Sequence, residues 1–443
     1  MASAKAKEEF QEDLLIDLSA VSVEAMRRTT SQVKRHAASR WRIVGAEIDV
    51  YLLLVVGVLL AIGLMMVFST TFDWSYAEFG SPTVIFFRQI RSFCIGLAAM
   101  AALTLIDYRQ WRRWVIVAMI AVTALLAFLL ALPEDQTFGG RRALFEGSVQ
   151  PGELAELVMV LYLAAWLASK RIKIRKLTYG LIPFSLLVGF VCAMIMLQPD
   201  VSTAALIFIT SVTMFFLAGA DLFQLGAVGL GAIGVGLFVI GRLDYARERL
   251  MSHWAAMNDL TQADWHVQQA VIAMMNGGWG GVGLGEGRQK ISALPAPHTD
   301  SIFASIAEEL GVLGCVLVVA LFGVLVYRGF TIARRAPDTF GAILAAGISC
   351  LIVFQALLNI AVLTAVIPFT GVPLPFISYG GSSLVVSMAG VGLLLSVSRV
   401  TAREALPERR PALDTGDWDG DDAPGDRRGW WNWRRRLPRV SRR

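Results

Sequence analysis

Long apolar runs recur along the chain and are separated by short polar segments rich in charged residues, proline or glycine. A helix needs about 20 apolar residues to cross the roughly 30 Å hydrocarbon core of a bilayer. The runs are continuous rather than alternating, so the pattern predicts helices and excludes a membrane β-barrel. The predicted spans are 50–68, 84–105, 113–132, 152–169, 177–197, 203–218, 222–241, 302–327, 341–367 and 384–399.

Composition supports this pattern. Of the 443 residues, 56% are hydrophobic, and the mean hydropathy is +0.59. A water-soluble globule of this length carries a larger polar share. The chain is therefore predicted to be an all-α polytopic membrane protein with about ten transmembrane helices.

Basic residues near the span ends predict the orientation. Lysine and arginine flank alternate loops, which places both termini in the cytoplasm by the positive-inside rule. The loop 242–300, between the seventh and eighth predicted helices, then lies outside the cell. The basic groups used are Arg40, Arg42, Arg109, Arg112, Arg113, Lys170, Lys173, Lys176, Arg328, Arg334, Arg335, Arg399 and Arg403.

Three parts follow from this pattern: a cytoplasmic tail over 1–47, a membrane domain over 48–400 and a cytoplasmic tail over 401–443. Residues 8–28 could form an amphipathic helix that touches a cytoplasmic partner. The C-terminal tail, with acidic residues followed by tryptophans and arginines, is expected to be disordered or to lie on the anionic inner leaflet.

Ionisable residues inside spans indicate a function, because each costs at least a few kcal/mol in hydrocarbon unless it has a cavity or a partner. They cluster toward the predicted outer half of the membrane, which predicts a water-accessible cavity for a substrate with an anionic headgroup and a lipid tail. An ion-coupled transporter would fit the same pattern, and the two arginines could simply extend to the interface. The residues are Arg88, Arg91, Glu153, Glu156, Asp200, Glu308 and Glu309.

Several other classes of site find no support. All four cysteines fall in predicted spans, and no two of the four histidines lie four residues apart on a helix, so neither a disulfide nor a zinc centre is predicted. The glycines of 278–283 fit G-x-G-x-x-G but follow no strand, which argues against a dinucleotide. No cofactor motif is recognisable, and a divalent cation stays open. The net charge of +5 lies in the inner loops and tails, so no nucleic-acid partner is expected.

Five stretches carry a resemblance to a known family. They are "FGGRRALFEG" at 138–147, "GSVQPGELAEL" at 147–157, "MLQPDVSTA" at 196–204, "GLGEGRQKISALPAPHTDSIFASIAEELG" at 283–311 and "IPFTGVPLPFISYGGSSL" at 367–384. In this order they resemble the SEDS family, which comprises the FtsW, RodA and SpoVE proteins, over essentially 48–400. The "RQK" before the "HTD" motif favours the FtsW-like division members over the elongation members.

The resemblance implies a peptidoglycan glycosyltransferase that polymerises lipid II at the outer face of the cytoplasmic membrane of a bacterium. It also implies an inverting reaction, in which the acceptor 4-hydroxyl attacks the anomeric carbon of a lipid-linked glycan and undecaprenyl diphosphate leaves. The implied partners are lipid II, the undecaprenyl-diphosphate-linked glycan, membrane lipid, a class B penicillin-binding protein that crosslinks the product, and other division proteins at the division site.

The family's outer-loop pattern matches "RLMSHWAAMNDLTQADWHVQQA" at 249–270, with Arg249, Trp254, Trp265, His266 and Gln269 at its positions. This match makes Asp259 the candidate general base, with Asp264 as the alternative. A positioned carboxylate is suited to accept the proton of an attacking alcohol, and Arg88 could stabilise the departing diphosphate. The expected substrate-binding residues are Arg88, Glu153, Asp200, His298, Asp300, Ser378 and Tyr379.

One departure concerns charge. The family's "Q-P-S-E-x-x-K" is here 150–156, and its lysine is replaced by Glu156. Either a base such as Arg91 or Arg141 compensates, or activity is altered. Two other classes of function therefore stay open: a flippase or transporter of lipid-linked precursors, and a non-catalytic scaffold for the penicillin-binding protein.

Overall fold

The computed structural model describes residues 48–131, 150–170, 174–242, 244–259 and 263–405, and within them it contains helices and no strand. The predicted N-terminal amphipathic helix, the C-terminal tail from 406 onward and the stretch 138–147 lie outside these residues. The helices are α1 (Val50–Phe79), α2 (Val84–Leu105), α3 (Tyr108–Trp111), α4 (Val115–Ala131), α5 (Pro151–Lys170), α6 (Ile182–Met196, preceded by a π-helical turn at Leu177–Leu181), α7 (Val201–Leu217), α8 (Leu222–Arg242), α9 (Asp244–Asn258), α10 (Trp265–Gly277), α11 (Gln289–Ser292), α12 (Ile302–Arg335), α13 (Thr339–Leu363) and α14 (Gly381–Ala405).

The predicted all-helical, multi-span fold is confirmed. Seven helices of the described chain are long and apolar enough to cross a membrane, and three shorter apolar helices (α4, α7 and α8) coincide with the remaining predicted spans. The first span differs in length, because α1 continues through a more polar segment to Phe79. It ends at Gly80, whose φ of 68° provides the left-handed C-cap.

The helix α12 is broken near its start. Gly311 has φ 68° and ψ −167°, which is not helical, so residues 302–310 form a short outer segment and 312–335 a long span. A Cβ at Gly311 would lie 2.4 Å from the backbone nitrogen of Gly281. Glycine is required here because the glycine-rich segment after α10 packs directly against the break.

The predicted cytoplasmic groups meet at one end of the helix bundle. Arg328 pairs with Asp49, the N-cap of α1, at 2.6 Å. Arg109 pairs with Glu404 at 2.7 Å, and Arg399 donates to the carbonyl of Leu105 at 2.8 Å. The ends of α1, α2, α12 and α14 are thus joined by basic residues on the side that the sequence predicts to be inside.

Helices α5, α13 and α14 are the most deeply buried of the spans. Close contact between α2 and α14 depends on small residues, since a Cβ at Gly392 would lie 2.7 Å from the carbonyl oxygen of Met100. Large apolar side chains of α4, α6 and α8, such as Ile116, Phe190 and Leu230, are exposed on the surface of the bundle, where lipid would contact them. The centre of the bundle is therefore where a polar cavity can be enclosed by protein.

Candidate active site

The large outer loop is mostly helical and is anchored on Phe369. Arg249 of α9 donates to the carbonyl oxygen of Phe369 at 2.8 Å, and its guanidinium lies over the aromatic ring, 5.2 Å from the centroid. His266 of α10 stacks on the same ring, with the two ring centroids 4.3 Å apart. Asp259 follows α9 directly and is exposed. This packing holds the candidate base on a helix end whose position is fixed by the segment after α13.

The alternative base, Asp264, has a structural position. It is the N-cap of α10, and its Oδ1 accepts a hydrogen bond from the backbone N–H of His266 at 3.0 Å. Burial lowers the pKa of His266. The charge of Asp264 acts in the opposite direction by a smaller amount, and the charge of Arg249 lowers the pKa further. Asp264 therefore caps the start of α10, whereas Asp259 lies at the end of the preceding helix, α9.

The "HTD" motif and the "FISYGGSS" motif lie against each other, as their joint assignment to substrate binding requires. The backbone N–H of Tyr379 donates to the carbonyl of His298 at 2.7 Å, and the Ser378 hydroxyl donates to the carbonyl of Thr299 at 2.7 Å. Asn359 of α13 donates to the carbonyl of Asp300 at 2.8 Å. Most of these bonds involve backbone groups, so they hold the two segments in a fixed arrangement.

The His298 ring lies in an aromatic environment. It stacks on Trp74 of α1 at 4.7 Å and meets the edge of Tyr379 at 5.6 Å. Burial lowers the pKa of His298 to about 4, and its buried Nδ1 has no hydrogen-bond partner among the residues that the structure describes. The ring is therefore neutral at physiological pH and serves as a flat, uncharged wall.

Three carboxylates come together where α5 and α7 begin. Glu153 and Glu156 are 7% and 5% exposed, and both feel the charge of Asp200. Asp200 is the N-cap of α7 and accepts from the backbone and hydroxyl of Thr203 at 3.1 and 2.9 Å. Ser382 contacts Glu153 and also accepts from the backbone N–H of Gln150. The predicted outer-facing cluster of acids is thus present.

A small cavity lies beside the two glutamates. Its polar lining comes from three helices: Glu153 and Glu156 of α5, Gln355 of α13, and Ser383 and Ser387 of α14. The remaining wall is apolar, formed by residues such as Leu351 and Val386. An acid-lined cavity near the predicted outer surface agrees with the sequence analysis.

The two arginines of α2 lie elsewhere. Arg88 is exposed and its guanidinium lies 5.0 Å from the centroid of the Phe79 ring. Neither Arg88 nor Arg91 forms an ion pair within the described part of the chain. Arg91 is exposed as well, so it does not offset the charge of Glu156 here, and Arg141 lies outside the described residues. The neighbour Gln89 turns inward and donates to the carbonyl of Ser378 at 3.4 Å.

Glu308 and Glu309 fasten the outer loop to α12. Glu309 pairs with Lys290 at 2.6 Å and accepts from Ser69 at 2.7 Å. Glu308 accepts from the backbone N–H groups of Arg288 and Gln289 at 3.0 and 3.1 Å. The Lys290 and Glu309 side chains are 3% and 0% exposed. We name this group of Ser69, Lys290, Glu308 and Glu309 the loop latch.

One segment, 364–382, contacts the outer helices, the "HTD" motif and the acid-lined cavity. Phe369 anchors the outer helices, Ser378 and Tyr379 hold the "HTD" motif, and Ser382 contacts Glu153 at the cavity. The structure thus brings His298, Asp300, Ser378 and Tyr379 together, and Glu153 with Asp200. Arg88 lies on the exposed face of α2, and Asp259 lies at the end of α9.

Some residues of the site were not predicted from the sequence. Gln355 lines the cavity, Lys290 completes the loop latch, and Trp74 covers His298. For Gln355 a signal existed, because an amide in the middle of an apolar run is costly unless it has a polar environment. No group of three or more His, Cys, Asp or Glu residues suited to a metal ion occurs among the residues that the structure describes.

The fold and the site define a polytopic helical membrane protein with an acid-lined cavity beneath an ordered outer loop. The family model of the FtsW, RodA and SpoVE cell cycle proteins matches residues 50–403, so the chain belongs to this family. This match confirms the resemblance that the five sequence stretches carry.

Individual relatives match over nearly their full length. The chain is 37% identical over 356 residues to stage V sporulation protein E of Bacillus subtilis, covering 79% of this chain and 97% of that protein. It is 34% identical over 357 residues to "Probable peptidoglycan glycosyltransferase FtsW" of Geobacter sulfurreducens, covering 79% of this chain and 95% of that protein.

Two solved structures have similar folds. One is a chain of a peptidoglycan synthase complex described as coordinating polymerization and crosslinking, with a TM-score of 0.64, 27% identity and coverage of 80% of this chain and 98% of that chain. The other is the rod shape determining protein RodA of Thermus thermophilus, with a TM-score of 0.58, 27% identity and coverage of 80% and 97%.

Proposed function

We propose that this protein is a peptidoglycan glycosyltransferase that polymerises lipid II into glycan strands at the outer face of the cytoplasmic membrane. The observation that carries the proposal is its similarity, over almost their whole length, to proteins named peptidoglycan glycosyltransferase FtsW. The arrangement of the site supports it, because an exposed carboxylate on the outer helices and a polar cavity in the bundle are joined through one segment, 364–382.

In the proposed reaction the 4-hydroxyl of the acceptor sugar attacks the anomeric carbon of the lipid-linked donor. A carbon–oxygen bond forms, the bond from the anomeric carbon to the diphosphate oxygen breaks, and undecaprenyl diphosphate leaves with the electron pair. Asp259 takes the proton of the attacking hydroxyl. Attack from the side opposite the leaving group inverts the anomeric configuration.

Other residues bind and position the substrate in this proposal. His298, Asp300, Ser378 and Tyr379 form the rigid rim against which the sugar and headgroup lie. Glu153 and Asp200 line the polar entrance to the bundle, and Arg88, exposed at the start of α2, is available to the anionic headgroup from the lipid side. An uncharged His298 suits an aromatic contact with a sugar face better than a contact with a phosphate.

The test is polymerisation of labelled lipid II by the purified protein together with its class B penicillin-binding protein, with products separated on a gel. Asp259→Asn should reduce polymer about 10²–10⁴-fold, the usual contribution of a positioned general base. The matched control is Asp264→Asn, which removes the charge of a nearby outer-loop acid but keeps an N-cap residue. It should polymerise like the wild type.

Equal polymer from wild type and Asp259→Asn would remove Asp259 from the mechanism, and loss of polymer only in Asp264→Asn would transfer the role to Asp264. A wild type that forms no polymer in an assay where a known family member is active would favour the scaffold or flippase alternatives.

We further propose that the protein acts at the division site, in complex with a class B penicillin-binding protein and other division proteins. The similarity to FtsW proteins and to a chain of a peptidoglycan synthase complex supports this role. A fluorescent fusion should concentrate at midcell before constriction. Uniform labelling along the cell's side wall would instead favour an elongation role.

A further inference from the structure

The cavity between α5, α13 and α14 contains more negative charge than its surroundings balance. Glu153 and Glu156 line it, and Asp200 is close enough for its charge to act on both. No lysine or arginine pairs with any of the three within the described residues. Ionised carboxylates in such a place require a compensating cation or a proton.

The hydrogen bonding of these groups is also incomplete. Asp200 uses its oxygens on Thr203. Glu153 has a hydrogen bond with Ser382, but its Oε2 is buried with no partner among the described residues. Glu156 makes no side-chain hydrogen bond with the residues that the structure describes. Buried carboxylate oxygens nearly always have partners in a folded protein, so these oxygens are available for a ligand.

Gln355 gives an independent indication of a ligand. It comes from α13, is 5% exposed and lines the same cavity. Its amide has no hydrogen bond to any part of the chain that the structure describes. The hydroxyl-bearing Ser383 and Ser387 also line this cavity. An amide oxygen, two hydroxyls and two carboxylates form an all-oxygen set, which hard divalent cations prefer.

We propose that this cavity binds one divalent cation of the Mg²⁺ class through Glu153 and Glu156, with Gln355 as a neighbouring oxygen donor, and that the cation faces the diphosphate of the lipid-linked donor. Mg²⁺ is typically held by one or two carboxylates together with substrate phosphates. The part that concerns the diphosphate rests on the proposed function. The cation would neutralise the charges of Glu153 and Glu156 and would offer its remaining coordination positions to the oxygens of the diphosphate.

The binding test uses the whole protein in detergent micelles and Mn²⁺ as the probe, because free Mn²⁺ gives an electron paramagnetic resonance signal that diminishes on binding. The wild type should bind one Mn²⁺ per chain, and Mg²⁺ should displace it. Glu156→Gln and Gln355→Leu should bind at least about tenfold more weakly, as expected when a ligand or its support is removed. Glu78→Gln, which removes an exposed carboxylate of α1, should bind like the wild type.

Absence of Mn²⁺ binding by the wild type, or equal binding by Glu156→Gln, would overturn the site. The unfolding temperature of each variant is measured alongside its titration, to show that the variant is folded. If Glu156→Gln does not fold, the double variant Ser387→Ala with Gln355→Leu is used in its place. These readouts do not depend on enzyme activity, so they decide the site even if no polymer is ever detected.

Glu156→Lys tests the role of the cation in the reaction. A lysine ammonium in the cavity should abolish Mn²⁺ binding, and the variant should polymerise lipid II in EDTA. Wild-type polymerisation should fall at least about tenfold in EDTA and recover with Mg²⁺. Equal wild-type polymer with and without EDTA would overturn the contact between cation and diphosphate. No wild-type polymer under any condition would instead count against the proposed function.

Discussion

Two pairs of buried glutamates occupy opposite situations in this molecule. In the loop latch, Glu308 and Glu309 are 2% and 1% exposed, and they accept hydrogen bonds from backbone groups, a hydroxyl and the ammonium of Lys290. In the cavity, Glu153 and Glu156 are nearly as buried, yet they have no cationic partner within the described residues. Burial alone therefore does not distinguish a structural acid from a functional one, whereas the completeness of its contacts does.

The largest effect is expected where a paired charge loses its partner. Lys290→Met leaves Glu309 buried and uncompensated, which should lower the free energy of unfolding by about 3–5 kcal/mol. The measurement is equilibrium unfolding in mixed micelles. The double variant Lys290→Met with Glu309→Gln removes both charges and should recover a large part of the loss. Wild-type stability in Lys290→Met would show that the latch contributes nothing to folding.

Replacing a glutamate by glutamine should have a smaller effect on stability, and the sign of this effect should differ between the loop latch and the cavity. Glu308→Gln breaks the charged hydrogen bonds from the backbone N–H groups of Arg288 and Gln289 and should cost about 1–3 kcal/mol. Glu156→Gln removes an unpaired buried charge, so in EDTA its stability should equal or exceed that of the wild type. Added Mg²⁺ should then stabilise the wild type and leave Glu156→Gln unchanged, because only the wild type binds the cation. Equal destabilisation by both variants would contradict the comparison.

The smallest effect concerns His298, which is buried and uncharged beside Trp74. Its pKa is about 4 in the folded protein, against about 6.5 in an unfolded chain. The unfolded state therefore binds an extra proton between these values, and stability should be lost as pH falls from about 6.5 to 4. His298→Phe keeps the stacked ring without the titration. Its unfolding temperature should fall less over this range, and parallel profiles for the two proteins would contradict the assignment.

The sequence predicted the spans well because their signal is local. A run of apolar residues long enough to cross a bilayer has few alternatives to a helix, and each of the ten predicted runs contains a helix in the structure. The run 341–367 was drawn too long, because its helix ends at Leu363. The extension of α1 and the break in α12 were missed. Both depend on contacts between distant segments, such as the packing of Gly281 against Gly311, and neither has a periodic pattern.

The site was predicted in part. His298, Tyr379, Glu153 and Asp200 were all predicted to bind substrate, and the structure brings His298 close to Tyr379 and Glu153 close to Asp200. The sequence did not distinguish the two glutamate pairs, because Lys290, which makes one pair structural, is separated from Glu309 by a turn-rich loop. The roles of Asp259 and of the substrate-binding residues stay predictions for the experiments above.

The break at Gly311 also determines how the outer loop is supported. Residues 312–335 form 24 residues of helix after the break, which at 1.5 Å per residue is about 36 Å and crosses a bilayer unaided. Residues 302–310 can therefore stand above the hydrocarbon and carry both latch glutamates without placing a charge in lipid. One continuous stretch of chain therefore both crosses the membrane and supports the outer loop, with the break at Gly311 separating the two tasks.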